Sequence, residues 1–185
     1  MAKKFAFERY PSAFSTIEET LLQTDPAQGP SDALDALDRR ILQALQRDGR
    51  ISNLDLAQAV GLSPAQCHRR HRRLEAQGLV RGYEARLDPH RLGLSVTAFV
   101  HVTMERGHMK HLEPFRAAIA STPQVLECHA VSGDFDYVLK VVARDLRALS
   151  DFLLRTLALW PGVSAVRSSV SLEEVKCTGA LPVER

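Results

Sequence analysis

The sequence predicts an α+β protein in which a helical first part is followed by a part with the element order β-α-β-β-α-β. Apolar residues recur at the 3.6-residue spacing of a helix between residues 34 and 77. From residue 94 they alternate with polar residues, as in a strand with one covered face. The length of 185 residues agrees with this prediction, because it leaves room for two small domains.

The first two predicted helices are defined by the residues at their ends. The first starts at Asp35 or Asp38, either of which can accept hydrogen bonds from free backbone N–H groups, and it ends at Asp48-Gly49. The second starts at Ser52, which an acidic residue follows three positions later as in a capping box, and it ends at Gly61. The apolar face of the first helix consists of Leu34, Leu37, Ile41, Leu42 and Leu45.

The third predicted helix starts at Ser63 as cap, with Pro64 at the first helical position, and ends before Gly78. Three residues separate it from the second helix, too few for an antiparallel pair, so the two helices cross steeply. This is the helix-turn-helix arrangement, in which the later helix is exposed. Cys67 and Leu74 lie seven residues apart on it and are expected to face inward.

Positive charge is concentrated on this third helix. Residues 34–92 have a net charge of +4, whereas residues 1–33 have −2 and residues 93–185 have 0. Residues 68–73 hold four arginines and two histidines, a cluster that attracts phosphate. The cluster alone also fits a solvated helix face, but on an exposed helix of a three-helix unit it favours binding to duplex DNA.

The side chains predicted to contact DNA follow from the outward face of the third helix. They are Ser63, Ala65, Gln66, His68, Arg69, Arg70, Arg72 and Arg73. The early positions suit base edges, and the arginines suit phosphates or guanine. His71 occupies a position that should be half buried, where we expect its ring to be satisfied by a backbone carbonyl.

Residues 79–93 are interpreted as a hinge between the two parts. Residues 79–87 partly alternate and predict a short strand that leaves the helix-turn-helix, and Asp88-Pro89-His90 predicts a turn after it. Arg81 is expected to be an exposed linker residue, with contact to the DNA backbone as a wing residue the alternative.

The second part is predicted to be a ferredoxin-like sheet of four antiparallel strands with two helices on one face. The strands are predicted at 94–104, 124–131, 137–143 and 163–172, and the helices at 108–121 and from Asp145 to about Leu157. The other face of the sheet is partly apolar, since Phe99, Val125, Val131, Val138 and Val142 fall on or near it. An apolar stripe across a sheet favours coverage by a second copy, which predicts a twofold dimer.

Specific motifs in both parts resemble the leucine-responsive/AsnC (Lrp/AsnC, feast/famine) transcriptional regulators. The helical part carries LDRRILQALQRDGRIS at residues 37–52, GLSP at 61–64, Cys67, and the paired arginines before Leu74-Glu75. Leu92-Gly93 and SGDFDY at 132–137 resemble the family's effector module. The likeness covers residues 34–176. It implies a homodimer, often assembled into tetramers or octamers, that binds double-stranded DNA and responds to a small effector, usually an amino acid.

The sequence departs from the family pattern in the third helix. Residues 65–68 read AQCH where the family usually has Thr-Pro-Cys-Leu, and His71 stands where Val is common. The usual base contacts of the family are therefore not carried over to this chain. Effector identity, operator sequence and the choice between activation and repression are left open.

The loop Gly133-Asp134-Phe135-Asp136 is the predicted effector site. Glycine allows the backbone to approach a ligand closely, and two carboxylates beside exposed amides could pair with an ammonium group. The same residues also form an ordinary turn at a strand end, so both interpretations stand. We expect Asp134 and Asp136, with the Gly133 backbone, to help hold an amino-acid-like effector.

Composition excludes several other classes of protein. Three cysteines far apart (Cys67, Cys128 and Cys177) argue against a disulfide scaffold or a cysteine zinc site and suit a reducing cytoplasm. No apolar run approaches the ~20 residues of a membrane span, and the N-terminus lacks a signal-peptide pattern. We therefore expect a cytoplasmic, nucleoid-associated protein that does not contact membranes, with no cofactor, metal site or catalytic residue.

Two other functions remain open. Some tetrapyrrole (sirohaem-type) decarboxylases have this two-domain architecture, and His101, His108, His111 and His129 could then be ligands or acids. Such enzymes would not need the arginine cluster, and surface histidines explain these residues more simply. The other possibility is a ligand-sensing oligomer that has lost DNA binding.

The predicted domain boundaries follow from these elements. Residues 1–33 form an N-terminal extension, expected to be mobile, and 34–80 form the DNA-binding domain. Residues 81–93 form the hinge, 94–176 the ligand-sensing and dimerisation domain, and 177–185 a C-terminal tail.

Overall fold

The computed structural model describes residues 34–107 and 111–183. The described chain separates into two compact units. The first unit holds residues 34–82 and 180–183, and the second holds the residues between 83 and 179. The predicted N-terminal extension lies outside the described residues. Among the described residues, no helix has both the length and the apolar character needed to span a membrane.

The first unit contains the three predicted helices, which are α1 (Ala36–Arg47), α2 (Asn53–Val60) and α3 (Pro64–Ala76). Their ends confirm the cap predictions. Asp35 caps α1 in a capping box with Asp38, and Ser52 accepts a hydrogen bond from the backbone N–H three positions later. Each cap satisfies N–H groups that a helix leaves unpaired at its start.

A compact apolar cluster holds the three helices together. Its buried members are Ile41, Leu45, Leu56, Ala57, Val60, Cys67 and Leu74. Leu34, Leu42, Ile51, Leu62 and Val80 pack around it. All three helices contribute, so the unit has its own core.

The strand predicted at residues 79–87 is wrong. These residues are not part of any strand in the described chain, and from 81 to 92 the side chains are exposed. Between residue 77 and the first strand, the described chain forms one short 3₁₀ turn, His90–Leu92, which Gly93 ends in the left-handed conformation at φ +75°. Alternation gives a segment one apolar side, but a strand also needs a hydrogen-bonded neighbour.

The second unit is the predicted ferredoxin-like fold. In chain order its elements are β1 (Val96–Met104), α4 (Leu112–Ala120), β2 (Val125–Ala130), β3 (Tyr137–Ala143), α5 (Leu146–Arg155) and β4 (Val163–Val170). The four strands form one antiparallel sheet in the order β2-β3-β1-β4.

The core of the second unit lies between one sheet face and the two helices. Ala98, Val100, Val102 and Met104 of β1 are buried, as the alternation predicts. They pack with Phe115 of α4 and with Leu149 and Phe152 of α5. The Phe115 ring lies 4.9 Å from the Tyr137 ring and 5.9 Å from the Trp160 ring, centroid to centroid.

Several predicted details of this unit need correction. Helix α5 ends at Arg155, and Leu157 belongs to a separate 3₁₀ turn although its side chain is buried. Strand β4 ends at Val170, so Leu172 lies beyond the sheet and is 98% exposed. Val125 packs against the core and not on the open face, because the β2–β3 register shifts between Val125 and Glu127.

The end of the chain returns to the first unit and binds α1. Gln43 Nε2 donates to the Val183 carbonyl at 2.9 Å, and Gln46 Nε2 donates to the Leu181 carbonyl at 3.1 Å. The Leu181 N–H donates to Gln46 Oε1 at 2.5 Å. Two side chains one helical turn apart therefore hold an extended stretch of backbone.

Candidate nucleic-acid interface and effector loop

The start of α3 is fixed by several hydrogen bonds. Ser63 Oγ accepts from the Gln66 N–H, and Gln66 Oε1 accepts from both the Ser63 N–H and its hydroxyl, a complete capping box. The Asn53 side chain donates to the Pro64 carbonyl at 3.0 Å, which ties α2 to the start of α3. Gly61 adopts φ +74°, which favours glycine at the α2 C-cap.

The faces of α3 are largely those predicted from its spacing. Cys67 and Leu74 are fully buried against α1 and α2. Seven predicted DNA contacts are exposed, namely Ser63, Ala65, Gln66, His68, Arg69, Arg72 and Arg73. Helix α3 thus presents a polar and cationic surface. The side-chain oxygen of Gln66 also accepts a hydrogen bond from the Ser63 hydroxyl in the helix cap.

Arg70 is the exception, and the prediction that it points outward is wrong. Its side chain is only 23% exposed, and its Nη1 donates to Asp35 Oδ2 at 2.6 Å and Asp38 Oδ1 at 2.9 Å. Arg73 Nη2 donates to the other oxygen of Asp38 at 2.5 Å. We call these four residues, Asp35, Asp38, Arg70 and Arg73, the Asp–Arg cluster. It forms because Arg70 faces the N-terminal end of α1, where both carboxylates lie.

Charge pairing makes the buried carboxylate of Asp38 tolerable. Its side chain is 2% exposed, and a buried charge is costly unless it is paired and hydrogen-bonded. The Asp38 N–H, which donates to the carboxylate of Asp35, lowers the pKa of Asp35 from its usual value, and Arg70 adds to the effect. Hydrogen bonds to both carboxylates raise the pKa of Arg70. Asp35 and Arg70 are therefore both charged at neutral pH.

A depression of about 200 Å³ lies among the arginines of α3 and is lined by Arg69, Arg70 and Arg73. Arg69 is exposed. Guanidinium groups around a concave surface suit an oxygen-rich anion such as phosphate. The depression can therefore receive a phosphate beside Arg69, while Arg70 and Arg73 keep their carboxylate partners.

His71 is half buried, as its position predicts. Its Nε2 lies 3.5 Å from Glu75 Oε1, and the other Glu75 oxygen lies 3.8 Å from Arg72 Nη1. Its ring nitrogen thus lies near a carboxylate one turn along α3, and the contact with a backbone carbonyl stays a prediction.

The predicted effector loop is anchored to β1 by Asp136. Its carboxylate accepts from the Met104 N–H at 2.7 Å, and its N–H donates to the Val102 carbonyl at 3.0 Å. Asp136 therefore holds the β2–β3 connection, a role that the sequence did not indicate. Asp134 is exposed, and Gly133 has φ +122°, a conformation that favours glycine.

Phe135 of the same loop lies at the open face of the sheet. Its ring centroid is 4.6 Å from that of His101, and the Arg167 guanidinium lies 5.7 Å from the Phe135 centroid. His101 pairs with Arg167 on one side and with Val138 on the other, so these side chains share one row of the sheet. Sequence reasoning missed Arg167 because only sheet register brings it to the loop.

Among residues 34–107 and 111–183, no three His, Cys, Asp or Glu side chains are grouped so that they could hold a metal ion. Of the histidines considered as ligands, His108 lies outside the described residues. His129 is exposed and lies 3.3 Å from Glu127 Oε2.

Both units match family models. Residues 34–81 match a model described as winged helix-turn-helix DNA-binding, and residues 97–181 match the Lrp/AsnC ligand binding domain. The chain belongs to the Lrp/AsnC family of transcriptional regulators. The fold and the resemblance inferred from the sequence are thereby confirmed.

Relatives of known name cover most of the chain. The leucine-responsive regulatory proteins of Salmonella typhimurium and of Escherichia coli K12 are each 46% identical over 160 residues, which is 86% of this chain and 98% of theirs.

Solved structures agree with the sequence matches. A transcriptional regulator from Neisseria meningitidis in complex with L-Met has a TM-score of 0.79 and 40% identity, over 82% of this chain and 97% of that one. An AsnC family regulator from Agrobacterium tumefaciens has a TM-score of 0.76 and 37% identity, over 80% and 97%. The feast or famine regulatory protein of M. tuberculosis with L-methionine has a TM-score of 0.74 and 34% identity, over 80% and 99%.

These findings define the function at the level of the family. The chain is a DNA-binding transcriptional regulator whose activity a small effector modulates. The first unit supplies the DNA-binding domain and the second the effector-binding domain.

Proposed function

We propose that α3 binds in the major groove of duplex DNA through its exposed face. Ser63, Ala65 and Gln66 would lie at base edges, and His68, Arg69, Arg72 and Arg73 at phosphates or guanine. The observation that carries this proposal is the position of Arg69, which is exposed on α3. The start of that helix is fixed by the capping box of Ser63 and Gln66. The place of Arg70 is treated below.

A salt titration tests this proposal. Affinity of the full chain for duplex DNA should fall steeply with salt, because each neutralised phosphate releases counterions and adds about −0.9 to the slope of log K against log salt. Arg69→Gln should make the slope shallower by about 0.9 for each protomer that contacts the duplex, and so by about 1.8 for a twofold dimer. Arg147→Gln, which removes an exposed arginine from α5 in the other unit, is the matched control and should leave the slope unchanged.

The outcomes separate the possible functions. Absence of DNA binding at low salt would favour a ligand-sensing oligomer that has lost DNA binding. We also propose that the chain has no catalytic activity. If an added tetrapyrrole gave an absorption band that then changed with time, this part of the proposal would be contradicted. Because it acts on DNA, we propose that the protein works in the cytoplasm at the nucleoid.

The effector is proposed to be an amino acid held near the Gly133–Asp136 loop. Support comes from the exposed carboxylate of Asp134 beside the left-handed Gly133, and from the Neisseria and M. tuberculosis relatives, whose structures contain L-methionine. Asp136 would act by holding the loop, since its carboxylate already accepts a backbone N–H. Phe135 would supply an apolar surface.

Calorimetry with L-methionine and L-leucine tests the effector site. Asp134→Asn should weaken binding, because it removes the charge that pairs with the ammonium group. Glu173→Gln, an exposed carboxylate elsewhere in the unit, is the control and should bind as the unchanged chain does. Equal affinity in both variants would exclude Asp134 from the site.

We propose that the open sheet face is a dimer interface. Phe99 and Val131 are 43% and 38% exposed there, and burial of such apolar area stabilises association. A twofold dimer would present two α3 helices to a palindromic site, with tetramers or octamers as further assemblies. Sedimentation of Phe99→Glu should show a shift toward monomer, and an unchanged mass would exclude this face.

A further inference from the structure

We propose that Arg70 is a positioning residue for DNA recognition, which orients α3 on α1 through Asp38 and Asp35, while its neighbour Arg69 contacts phosphate. The inference rests on the proposed placement of α3 in DNA. It assigns different roles to two adjacent arginines of one helix.

Geometry separates these two arginines. Arg70 has carboxylate oxygens at 2.6 and 2.9 Å from Nη1 and is 23% exposed. Arg69 is exposed, and within the part of the chain that the structure describes no carboxylate lies within ion-pair distance of it. A guanidinium that two carboxylates already neutralise gains little from a phosphate, whereas an unpaired one releases a counterion when it binds.

The buried carboxylate of Asp38 explains why Arg70 fixes the position of α3. Asp38 is a buried residue of the first turn of α1, and Arg70 and Arg73 of α3 occupy one of its oxygens each. Breaking such a buried pair leaves an uncompensated charge, so the arrangement resists rotation of α3 against α1. The cap at Ser63 fixes the start of α3, and the Asp–Arg cluster fixes its middle.

The reach of the side chain at this site favours arginine. Both carboxylate contacts are made by the terminal Nη1, which lies one bond further from the backbone than a lysine ammonium would, so lysine at position 70 reaches Asp35 and Asp38 less well. A phosphate contact on the surface requires only the positive charge. Lysine should therefore replace Arg69 without loss but should not replace Arg70.

The experiment compares Arg69→Lys, Arg70→Lys, Arg69→Gln and Arg70→Gln in the full chain, by affinity for one operator duplex across a salt series. For Arg70→Lys and Arg70→Gln we expect affinity to fall on the order of tenfold, as for one lost charge-assisted hydrogen bond, with the salt slope unchanged. For Arg69→Gln the slope should become shallower by about 0.9 for each protomer bound, and Arg69→Lys should match the original chain.

A double-mutant cycle tests whether Arg70 acts through Asp38. If it does, Arg70→Gln should cost much less affinity in an Asp38→Asn background than in the original chain, because the orienting contact is already broken. Additive losses would contradict the proposal. Protection of the buried Cys67 thiol from alkylation confirms that each variant is folded; if Arg70→Gln unfolds, Arg70→Lys supplies the comparison.

The outcomes are distinct from failure of the proposed function. A chain that shows no salt-dependent DNA binding contradicts the placement of α3 itself. A chain that binds DNA, but in which Arg70→Gln makes the slope as shallow as Arg69→Gln does, overturns the positioning role. Full affinity in Arg70→Lys also overturns it.

Discussion

The two units of this chain are stabilised in different ways. In the second unit, four antiparallel strands present one face to two helices, and aromatic rings fill the space between them. In the first unit, three short helices share a smaller apolar cluster, and capping boxes and the Asp–Arg cluster add fixed points at helix ends. Small cores contribute less burial free energy, so polar contacts at helix ends carry more of the stability there.

This difference concerns function as well as stability. The contacts that fix α3, at Ser63 and Asp38, lie on the helix proposed to bind DNA, so stability and recognition share residues in the first unit. In the second unit the core lies on one sheet face, and the predicted effector loop lies at a strand end, fixed by Asp136. Substitutions should therefore affect the two units separately.

The largest expected effect is loss of the buried ring of Phe115. Phe115→Ala should cost the second unit about 3–5 kcal/mol in free energy of unfolding, because it removes a fully buried side chain and leaves a cavity. Trp160 is the single tryptophan of the sequence and lies beside Phe115, so its fluorescence during urea unfolding reports this unit.

Cysteine alkylation reports the first unit in the same samples. Cys67 is fully buried there, and burial raises the pKa of its thiol, whereas Cys177 is exposed and should react first. In the second unit, burial raises the pKa of Cys128 to about 11, so this thiol stays protonated and unreactive at pH 8 while folded. If Cys67 loses protection together with the fluorescence change in Phe115→Ala, the units do not unfold independently.

A smaller effect is expected at a buried glycine of the second unit. Gly162 has φ +78°, and an added Cβ would lie 2.9 Å from His111 Cβ, so Gly162→Ala should cost about 2–4 kcal/mol from backbone strain and overpacking. Gly93→Ala is the matched control, because Gly93 has φ +75° but nothing within 4 Å of the added carbon. It should cost only about 1 kcal/mol. Equal urea midpoints for both would show that the His111 contact adds nothing.

Removal of a helix cap should have an effect of about 1 kcal/mol in the first unit. Ser63→Ala removes the acceptor for the Gln66 N–H at the start of α3, and capping serines are worth about that much. Ser150→Ala, at an exposed position within α5, should change the urea midpoint little. A negligible shift in Cys67 protection for Ser63→Ala would mean that the core and the Asp–Arg cluster suffice to hold α3.

The smallest effect is a dependence on pH from Asp35. Because its pKa is below the unfolded value of 3.8, its charged form stabilises the first unit at neutral pH, and this contribution is lost as pH falls through the folded pKa. Asp35→Asn keeps a side chain that can cap α1 but removes the charge. The deficit in urea midpoint of Asp35→Asn should be seen at pH 6 and should shrink as the pH falls below 3.8. A deficit that stays constant in acid would assign the effect to cap geometry.

Local signals were sufficient to predict most of the fold. Ser52 and Ser63 identified two helix starts because a cap acts within three residues of itself. The alternation from Val96 to Met104 identified a strand with one covered face because side-chain direction follows from the backbone. The strand at 79–87 was predicted wrongly because pairing depends on a neighbour that local sequence does not contain.

The site was less predictable than the fold for the same reason. The exposed positions of α3 followed from helical spacing, but the pairing of Arg70 with Asp38 joins residues 32 apart in sequence. The contact between Asp136 and Met104 also spans 32 residues and depends on sheet register. The DNA-contact and effector residues themselves remain predictions until the binding experiments are done.

The return of the chain end to α1 bears on how the protein can be dissected. A fragment that stops at Gly82 retains all three helices but lacks residues 180–183, whose backbone satisfies Gln43 and Gln46. In the excised helical domain, the side chains of Gln43 and Gln46 on α1 would therefore lack the backbone that they bind in the full chain. A short synthetic peptide with the sequence of residues 180–183 should bind to these side chains. Fusion tags are better placed away from residues 180–183, because these residues contact α1.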